Sequence, residues 1–295
     1  MPIDPRSLRT FLEVCRENSI SGAARRLNIT QPSVSVTMAN LEIALNSKLF
    51  DRARSGIKLS PAGIALRRRA EALEQLLEVA VEEIALLQQA IEGPIRIGGT
   101  PGALASLVPA IVTHLSQGGG AFEMRIVERP DGELTDTLRR GEIDIAVVTT
   151  GIETPPEDIV EHAVARDPFS LIVGNAHAQL PDLIALTDVT DMRWVMPDAA
   201  GAFRRQINAL FIAAAAPLPR EVIRCDSLLT TKAIVRQTDF VALLPSGVAD
   251  AELAAGSLRA ITLKGNQIDR SIGFRTLRNA PATPLISKLL QFSSL

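Results

Sequence analysis

A chain of 295 residues with 46% hydrophobic content is globular, with room for two or three domains and a sizeable core. Its formal charge of −2 hides an asymmetry: residues 1–69 carry 12 Lys and Arg against 5 Asp and Glu, and the remainder carries 19 against 28. A basic amino-terminal part on an acidic body points to a polyanionic partner for that part alone, and the longest apolar run, Ala209 to Pro217, is too short to span a bilayer.

The opening stretch MPIDPRSLRTFLEV has no apolar core of a secretory leader. Cys15 and Cys225 are expected as packing residues rather than a disulfide, which fits a reducing cytoplasm. Asp4-Pro5 reads as a cap and first helical residue, and Leu8, Phe11, Leu12 and Cys15 form the stripe of a first helix. Ser21 is expected to cap a second helix, in which Ala23 and Ala24 allow close packing and Leu27 faces inward. Asn28 and Ile29 make a tight connection. Thr30 then caps a third helix with Pro32 in its first turn, and Val34, Met38, Leu41 and Leu45 recur at helical spacing as its buried face. Gln31, Ser33, Ser35 and Thr37 are left to face outward, and small polar side chains at the start of an exposed helix suit major-groove contact. Leu49 to Arg52, a turn over Ala53 to Gly56, and Ile57 to Leu59 read as a hairpin with Arg52 and Arg54 as phosphate or minor-groove contacts.

The run AARRLNITQPSVS, followed by LE, LF-R and L-x-P-A-G, resembles the winged helix-turn-helix of LysR-type transcriptional regulators over about residues 5 to 65. The resemblance implies a double-stranded DNA operator as partner, with Gln31, Pro32, Ser33, Ser35 and Thr37 on the reading helix and Arg52 and Arg54 on the wing. One departure stands out. The resembled pattern carries basic residues just after Ser35 and later in the helix, where Val36, Ala39 and Asn40 occur here. Fewer phosphate contacts are expected from that helix, with more weight on the wing, on Arg67 to Arg69, or on higher oligomers.

Ser60-Pro61 caps a long helix. Leu66, Ala70, Leu73, Leu77, Ala80, Ile84, Leu87 and Ile91 alternate at intervals of 4 and 3, a heptad seam that predicts a coiled coil. Such a rod, about 45 Å at 1.5 Å per residue, is a poor element for a lone subunit. It is expected to pair two copies, as the resembled family does; dimer and tetramer both remain open. Arg67, Arg68 and Arg69 are expected either at phosphates or in solvent. Glu92-Gly93-Pro94 is expected to end the helix.

Beyond it the period changes. Strands are predicted at Ile95–Ile97, Phe122–Val127 and Ile143–Val148, with helices at Ala103–Leu115 and Gly132–Arg140, the pattern of a parallel sheet covered on both faces. A second unit follows: strands at Phe169–Val173, Trp194–Met196, Glu221–Cys225 and Phe240–Leu244, and helices at Ala202–Ala215 and Ser227–Gln237. The chain then returns through a strand at Arg270–Leu277 and a helix capped by Thr283-Pro284. Crossings near 164–168 and 264–270 make a two-lobed α/β body, similar to periplasmic binding proteins and to the effector domain of the resembled family. The expected division is a winged helix-turn-helix at 1–59, a dimerisation helix at 60–92, and a regulatory part at 93–295. Within the last, one lobe takes about 93–165 and 269–295 and the other about 166–268.

Ligands bind open α/β sheets outside the carboxyl ends of strands, where helix N-termini converge. That rule selects Thr100, Pro101 and Gly102, then Thr149 and Thr150, then Met196, Pro197 and Arg204, and last Ser227, which also reads as a plain helix cap. Thr100, Thr149 and Pro197 match cleft-lining positions of the resembled family; Arg204 as a carboxylate partner, or as a solvated helix arginine, comes from the residues alone. The expectation is a regulator whose DNA binding responds to a small anionic metabolite, with RNA polymerase a further candidate partner. The alternative is a DNA-architectural protein or repressor without an effector. No cofactor, metal or enzymatic activity is expected: GGTPG lacks the glycine spacing of a dinucleotide fingerprint, and His114, His162 and His177 lack metal spacing.

Overall fold

The structure is a computed structural model that describes residues 3–53, 56–198, 201–265, 270–280 and 283–292. The chain divides into two compact units, Met1–Gln88 with Arg139–Glu142 and Gln89–Leu138 with Ile143–Leu295.

In the first unit each helix begins on a side-chain cap that satisfies an orphan N–H. Asp4 accepts from Arg6 N at the start of α1 (Pro5–Glu17). Ser19, not Ser21, accepts from Gly22 N at the start of α2 (Ile20–Leu27). The expectation of a Ser21 cap was two residues late because Asn18, at φ 47°, ends α1 in the left-handed region and lets the next helix begin at once. Asn28, at φ 55°, closes α2 the same way. Thr30 caps α3 (Gln31–Ala44), and Val34, Met38 and Leu41 turn inward from it. They meet Phe11, Leu12, Val14, Ala23, Ala24 and Leu49 in one core.

The hairpin follows as β1 (Phe50–Ala53) and β2 (Gly56–Leu59), paired antiparallel with Arg52 opposite Ile57 and Ala53 opposite Gly56. Its strands run one residue further toward the tip than expected. Ser60 caps α4 (Pro61–Leu87), accepting from Gly63 N and donating to Lys48 O.

The heptad seam divides in two. Ala70 is buried in the core of the first unit, with Leu66 packed against it. Further along, the seam residues Leu77, Ile84 and Leu87 are 56–60% exposed, with Leu76 and Val81 exposed beside them. The last expected position, Ile91, is not helical; it opens a strand. Glu92-Gly93-Pro94 does not end the helix either but lies inside that strand, where the pairing register shifts between Glu92 and Ile95.

The second unit contains two sheets. The first is ordered β4-β3-β5-β13-β6 from β3 (Ile91–Gly99), β4 (Ala121–Glu128), β5 (Ile145–Thr150), β6 (Ile159–Arg166) and β13 (Ser271–Leu277). Strands β3, β4, β5 and β6 run in one direction, and β13 runs antiparallel to both of its neighbours, β5 and β6. The strands expected to form a parallel sheet, β3, β4 and β5, do so, and the sheet becomes mixed only where β13 enters between β5 and β6. The strand β6 had no clear signal, because its pattern of exposed and half-buried residues is that of an edge. Ile95, Ile97, Ile145 and Val147 face α5 (Pro101–Gln117) and α10 (Pro284–Leu290), while Ala146 and Val148 face α6 (Asp131–Arg139), the two-residue alternation of a covered sheet.

The second sheet is ordered β10-β9-β11-β7-β12-β8. Its strands are β7 (Phe169–Val173), β8 (Leu183–Ile184), β9 (Arg193–Met196), β10 (Val222–Arg224), β11 (Phe240–Pro245) and β12 (Arg259–Leu263). It too is mixed, since β7 is antiparallel to β11 and β12. Trp194 packs under α7 (Ala202–Ala213), and Val195 faces α8 (Leu228–Gln237) on the other side. A short α9 (Asp250–Ala254) precedes β12.

The segments that join the sheets meet at a buried ion pair. Asp167 follows β6 and Arg270 precedes β13. The Arg270 Nη1 donates to Asp167 Oδ2 at 2.5 Å, and the two residues are only 2% and 5% exposed. Asp167 N donates to Arg270 O at 2.8 Å, and Gly247 N donates to Asp167 Oδ1 at 3.1 Å. Burial pushes the Arg270 guanidinium below its ordinary value, and the charge and hydrogen bond of Asp167 oppose that shift.

Two outcomes follow from these contacts. A Cβ on Gly63 would lie 2.1 Å from Leu49 O and 2.8 Å from Leu59 Cδ2. Gly→Ala inside a helix ordinarily stabilises by about 1 kcal/mol, but Gly63→Ala is expected to destabilise by about 1–3 kcal/mol, read as a lower urea midpoint of the first unit. Asp167→Ala strands a buried guanidinium and is expected to cost about 3–5 kcal/mol. The double variant Asp167→Leu with Arg270→Met should recover most of that loss in the same denaturation experiment.

Candidate functional site

Two sets of residues were singled out by sequence, and each falls within one unit. On α3, the polar residues form a local network: Thr30 Oγ1 and Ser33 Oγ are 2.7 Å apart, Gln31 Nε2 donates to Ser35 Oγ at 3.2 Å, and Thr37 Oγ1 donates to Ser33 O at 2.9 Å. Gln31, Pro32 and Ser33 are exposed, and Ser35 and Thr37 are half-buried at the flanks. The only carboxylate on the helix, Glu42, accepts from Lys48 Nζ at 2.7 Å and from Leu49 N at 2.9 Å, so its charge is compensated locally. Arg52 lies in β1, and Arg54 lies outside the described residues. Of the three consecutive arginines on α4, Arg67 donates to Glu71 at 2.7 Å, and Arg68 and Arg69 are exposed. Cys15, packed on the same core, has its thiol pushed up to about 11 by burial, so it is protonated at neutral pH rather than a reactive thiolate.

In the second unit, Thr100 caps α5 by backbone geometry alone, without a side-chain bond, and its N–H donates to Val147 O at 3.2 Å. Pro101 and Gly102 form the first turn. A Cβ built on Gly102 would lie 3.6 Å from Arg270 Nη2, 3.8 Å from Val248 Cγ1 and 3.9 Å from Leu228 Cδ1. The start of α5, the start of α8, the turn after β11 and the return into β13 therefore converge on this glycine. Thr149 and Thr150 end β5, paired with Ile272 and Ser271, and are 8% and 7% exposed. Thr150 Oγ1 and Arg270 Nε are buried without a hydrogen-bond partner among the described residues.

The remaining selected residues lie on the other sheet. Met196 is 3% exposed in the apolar core beneath α7. Pro197 O accepts from Arg224 Nη1 at 3.3 Å. Arg204 Nη1 donates to Asp198 O at 2.6 Å and so braces the loop that leads into its own helix. Ser227 caps α8, accepting from Thr230 N at 3.2 Å, which is the plain capping role its position allowed. Sequence reasoning missed Arg270, Asp167 and Gly247. Arg270 and Asp167 are 103 residues apart, and no local pattern links them.

Among the described residues no His, Cys, Asp and Glu cluster could hold a metal ion, and no helix is long and apolar enough to cross a membrane.

Two family models match the chain in tandem. The bacterial regulatory helix-turn-helix protein model of the lysR family covers residues 5–64, and the LysR substrate binding domain covers residues 88–294. The transcriptional regulator PcaQ of Agrobacterium fabrum is 25% identical over 291 residues, spanning 97% of this chain and 92% of that protein. A full-length OxyR variant from Pseudomonas aeruginosa superposes with a TM-score of 0.70 at 20% identity, over 100% of this chain and 96% of that one. Full-length CbnR, in a complex with its target DNA, superposes with a TM-score of 0.67 at 16% identity, over 98% of both chains; at such identities the likeness speaks for the fold. Capped helix-turn-helix, wing and two-lobed α/β body thus occur in the order the two models require, and the chain belongs to the LysR family of DNA-binding transcriptional regulators.

Proposed function

We propose that α3 lies in the major groove of a double-stranded operator, with Gln31, Pro32, Ser33, Ser35 and Thr37 near base edges and Arg52 and Arg54 at the backbone or minor groove. A small anionic metabolite binds in the regulatory body among Thr100, Pro101, Gly102, Thr149, Thr150, Pro197 and Ser227. Its differential affinity for two arrangements of the body shifts how paired subunits sit on DNA. With DNA as partner, the working compartment is the cytoplasm.

The observation that carries the ligand reading is the convergence on Gly102. A helix N-terminus and the buried Arg270 meet there, the strand-end Thr150 and Thr149 pair with the two residues that follow that arginine, and Thr150 Oγ1 and Arg270 Nε have no hydrogen-bond partner among the described residues. Met196 and Arg204 make no ligand contact: Met196 is buried in the apolar core beneath α7, and the Arg204 guanidinium already braces Asp198 O. Pairing rests on the free half of the heptad seam. Its Leu77, Ile84 and Leu87, with Leu76 and Val81 beside them, are more than half exposed on one helix, and such an apolar stripe calls for a covering partner.

The first expected outcome concerns assembly. The full-length protein should sediment as a dimer or tetramer, and Leu77→Glu with Ile84→Glu should yield monomers that no longer prefer a selected operator over random duplex. A wild-type monomer would overturn the pairing. The second concerns the ligand. A panel of small carboxylates should include at least one that raises the thermal midpoint by several degrees, and Thr149→Val should abolish the shift without lowering the unliganded midpoint by as much. An unchanged response in Thr149→Val and Thr100→Ala would remove the ligand from this place.

A further inference from the structure

The helix α3 is apolar on two opposite faces. At about 100° per residue, Val34, Met38 and Leu41 cluster within roughly 40° of the direction diametrically opposite Val36. Those three are buried at 0%, 5% and 3%, while Val36 is 59% exposed. Pro32, Ser33, Ala39, Asn40 and Ile43 all lie within about 60° of Val36, and all are exposed. Gln31, Ser35 and Thr37 lie about 100–140° away, on the flanks. Gln31 and Ser35 bond to each other, and Thr37 bonds back to the helix backbone. The apex of the reading helix is therefore an uncharged, mainly apolar surface centred on Val36, and the polar side chains are set back beside it.

We propose that Val36 is a specificity-determining residue, and that it reads the C5-methyl group of a thymine in the major groove of each half-site. This rests on α3 being the DNA-contacting helix. Of the four bases only thymine offers a methyl group in that groove, and apolar side chains recognise it by contact. A branched side chain at the apex has two methyl groups to offer and no donor or acceptor to leave unsatisfied. The occupant is DNA rather than protein on grounds of charge. Residues 1–69 carry a large excess of Lys and Arg, and Glu42, the one carboxylate on α3, is neutralised by Lys48 and held by Leu49 N. Nothing on this face repels phosphate.

The test uses the full-length protein and the duplex it selects from a randomised library, with each thymine replaced in turn by uracil, which lacks only the methyl. One position per half-site should weaken wild-type binding about fourfold, the size expected when one methyl loses its apolar contact. Val36→Ala should bind more weakly than wild type and show no further loss at that position. Its fold should be unaffected, since the side chain is mostly exposed. The proposal is overturned if no uracil changes wild-type affinity by as much as twofold, or if Val36→Ala keeps the same uracil sensitivity. Val36→Glu separates this from the reading beneath it. If the glutamate variant loses DNA binding while uracil is silent everywhere, α3 still faces DNA and only the methyl contact is wrong. If the glutamate variant binds as wild type does, the reading helix itself is wrong. If it instead falls to a smaller oligomer while uracil is silent, the face packs against a second copy and the proposal fails.

Discussion

A guanidinium and a carboxylate shut away from water hold the regulatory body together where its two sheets exchange chain. Asp167 leaves the first sheet and Arg270 returns to it, so their pair ties both crossing segments at one point. Such a pair contributes little net stability, because desolvation of both charges offsets most of their attraction. What it imposes is geometry. Each partner is intolerable without the other, so the two crossings stay in register, and Gly247 N adds a third segment to the same carboxylate. Gly102 sits against that arginine, which brings the α5 terminus to the same place.

The DNA-binding unit obeys a different constraint. Its core is small, and it relies on caps and close approaches more than on bulk. Asp4, Ser19, Thr30 and Ser60 each begin a helix with a hydrogen bond from their side chains, and Gly63 allows α4 to lie against the Leu49 carbonyl. The same economy appears in α3, where three inward residues, Val34, Met38 and Leu41, hold the helix and the opposite face stays exposed. The long helix α4 has two roles: Ala70 closes the core, while Leu76, Leu77 and Leu87 further along stay exposed.

Much of this was legible from the chain alone. Caps at Asp4, Thr30, Ser60 and Thr283, the inward stripe of α3, and the strands at 95–97, 169–173, 194–196 and 240–244 all follow from local rules, and all are present. Local rules govern them because a cap acts within three residues and an alternating strand within six. They failed where the decisive partner was distant. Strand β6 and the direction of β13 depend on pairing across more than a hundred residues, so the parallel core of β3, β4 and β5 was legible while the antiparallel insertion of β13 was not. Ile91 continued a heptad by spacing yet begins a strand, because β4 offers it a partner at Ala121.

The residues by themselves determined the family, the order of its parts and the bounds of the helix after Thr30, since those signals are short and carry their own turn chemistry. Only the tertiary structure decided which residue stands at the apex of that helix, which half of the leucine seam is free, and which buried pair joins the crossings. Periodicity assigns a residue to a face. Whether the face is covered depends on atoms contributed from elsewhere in the chain.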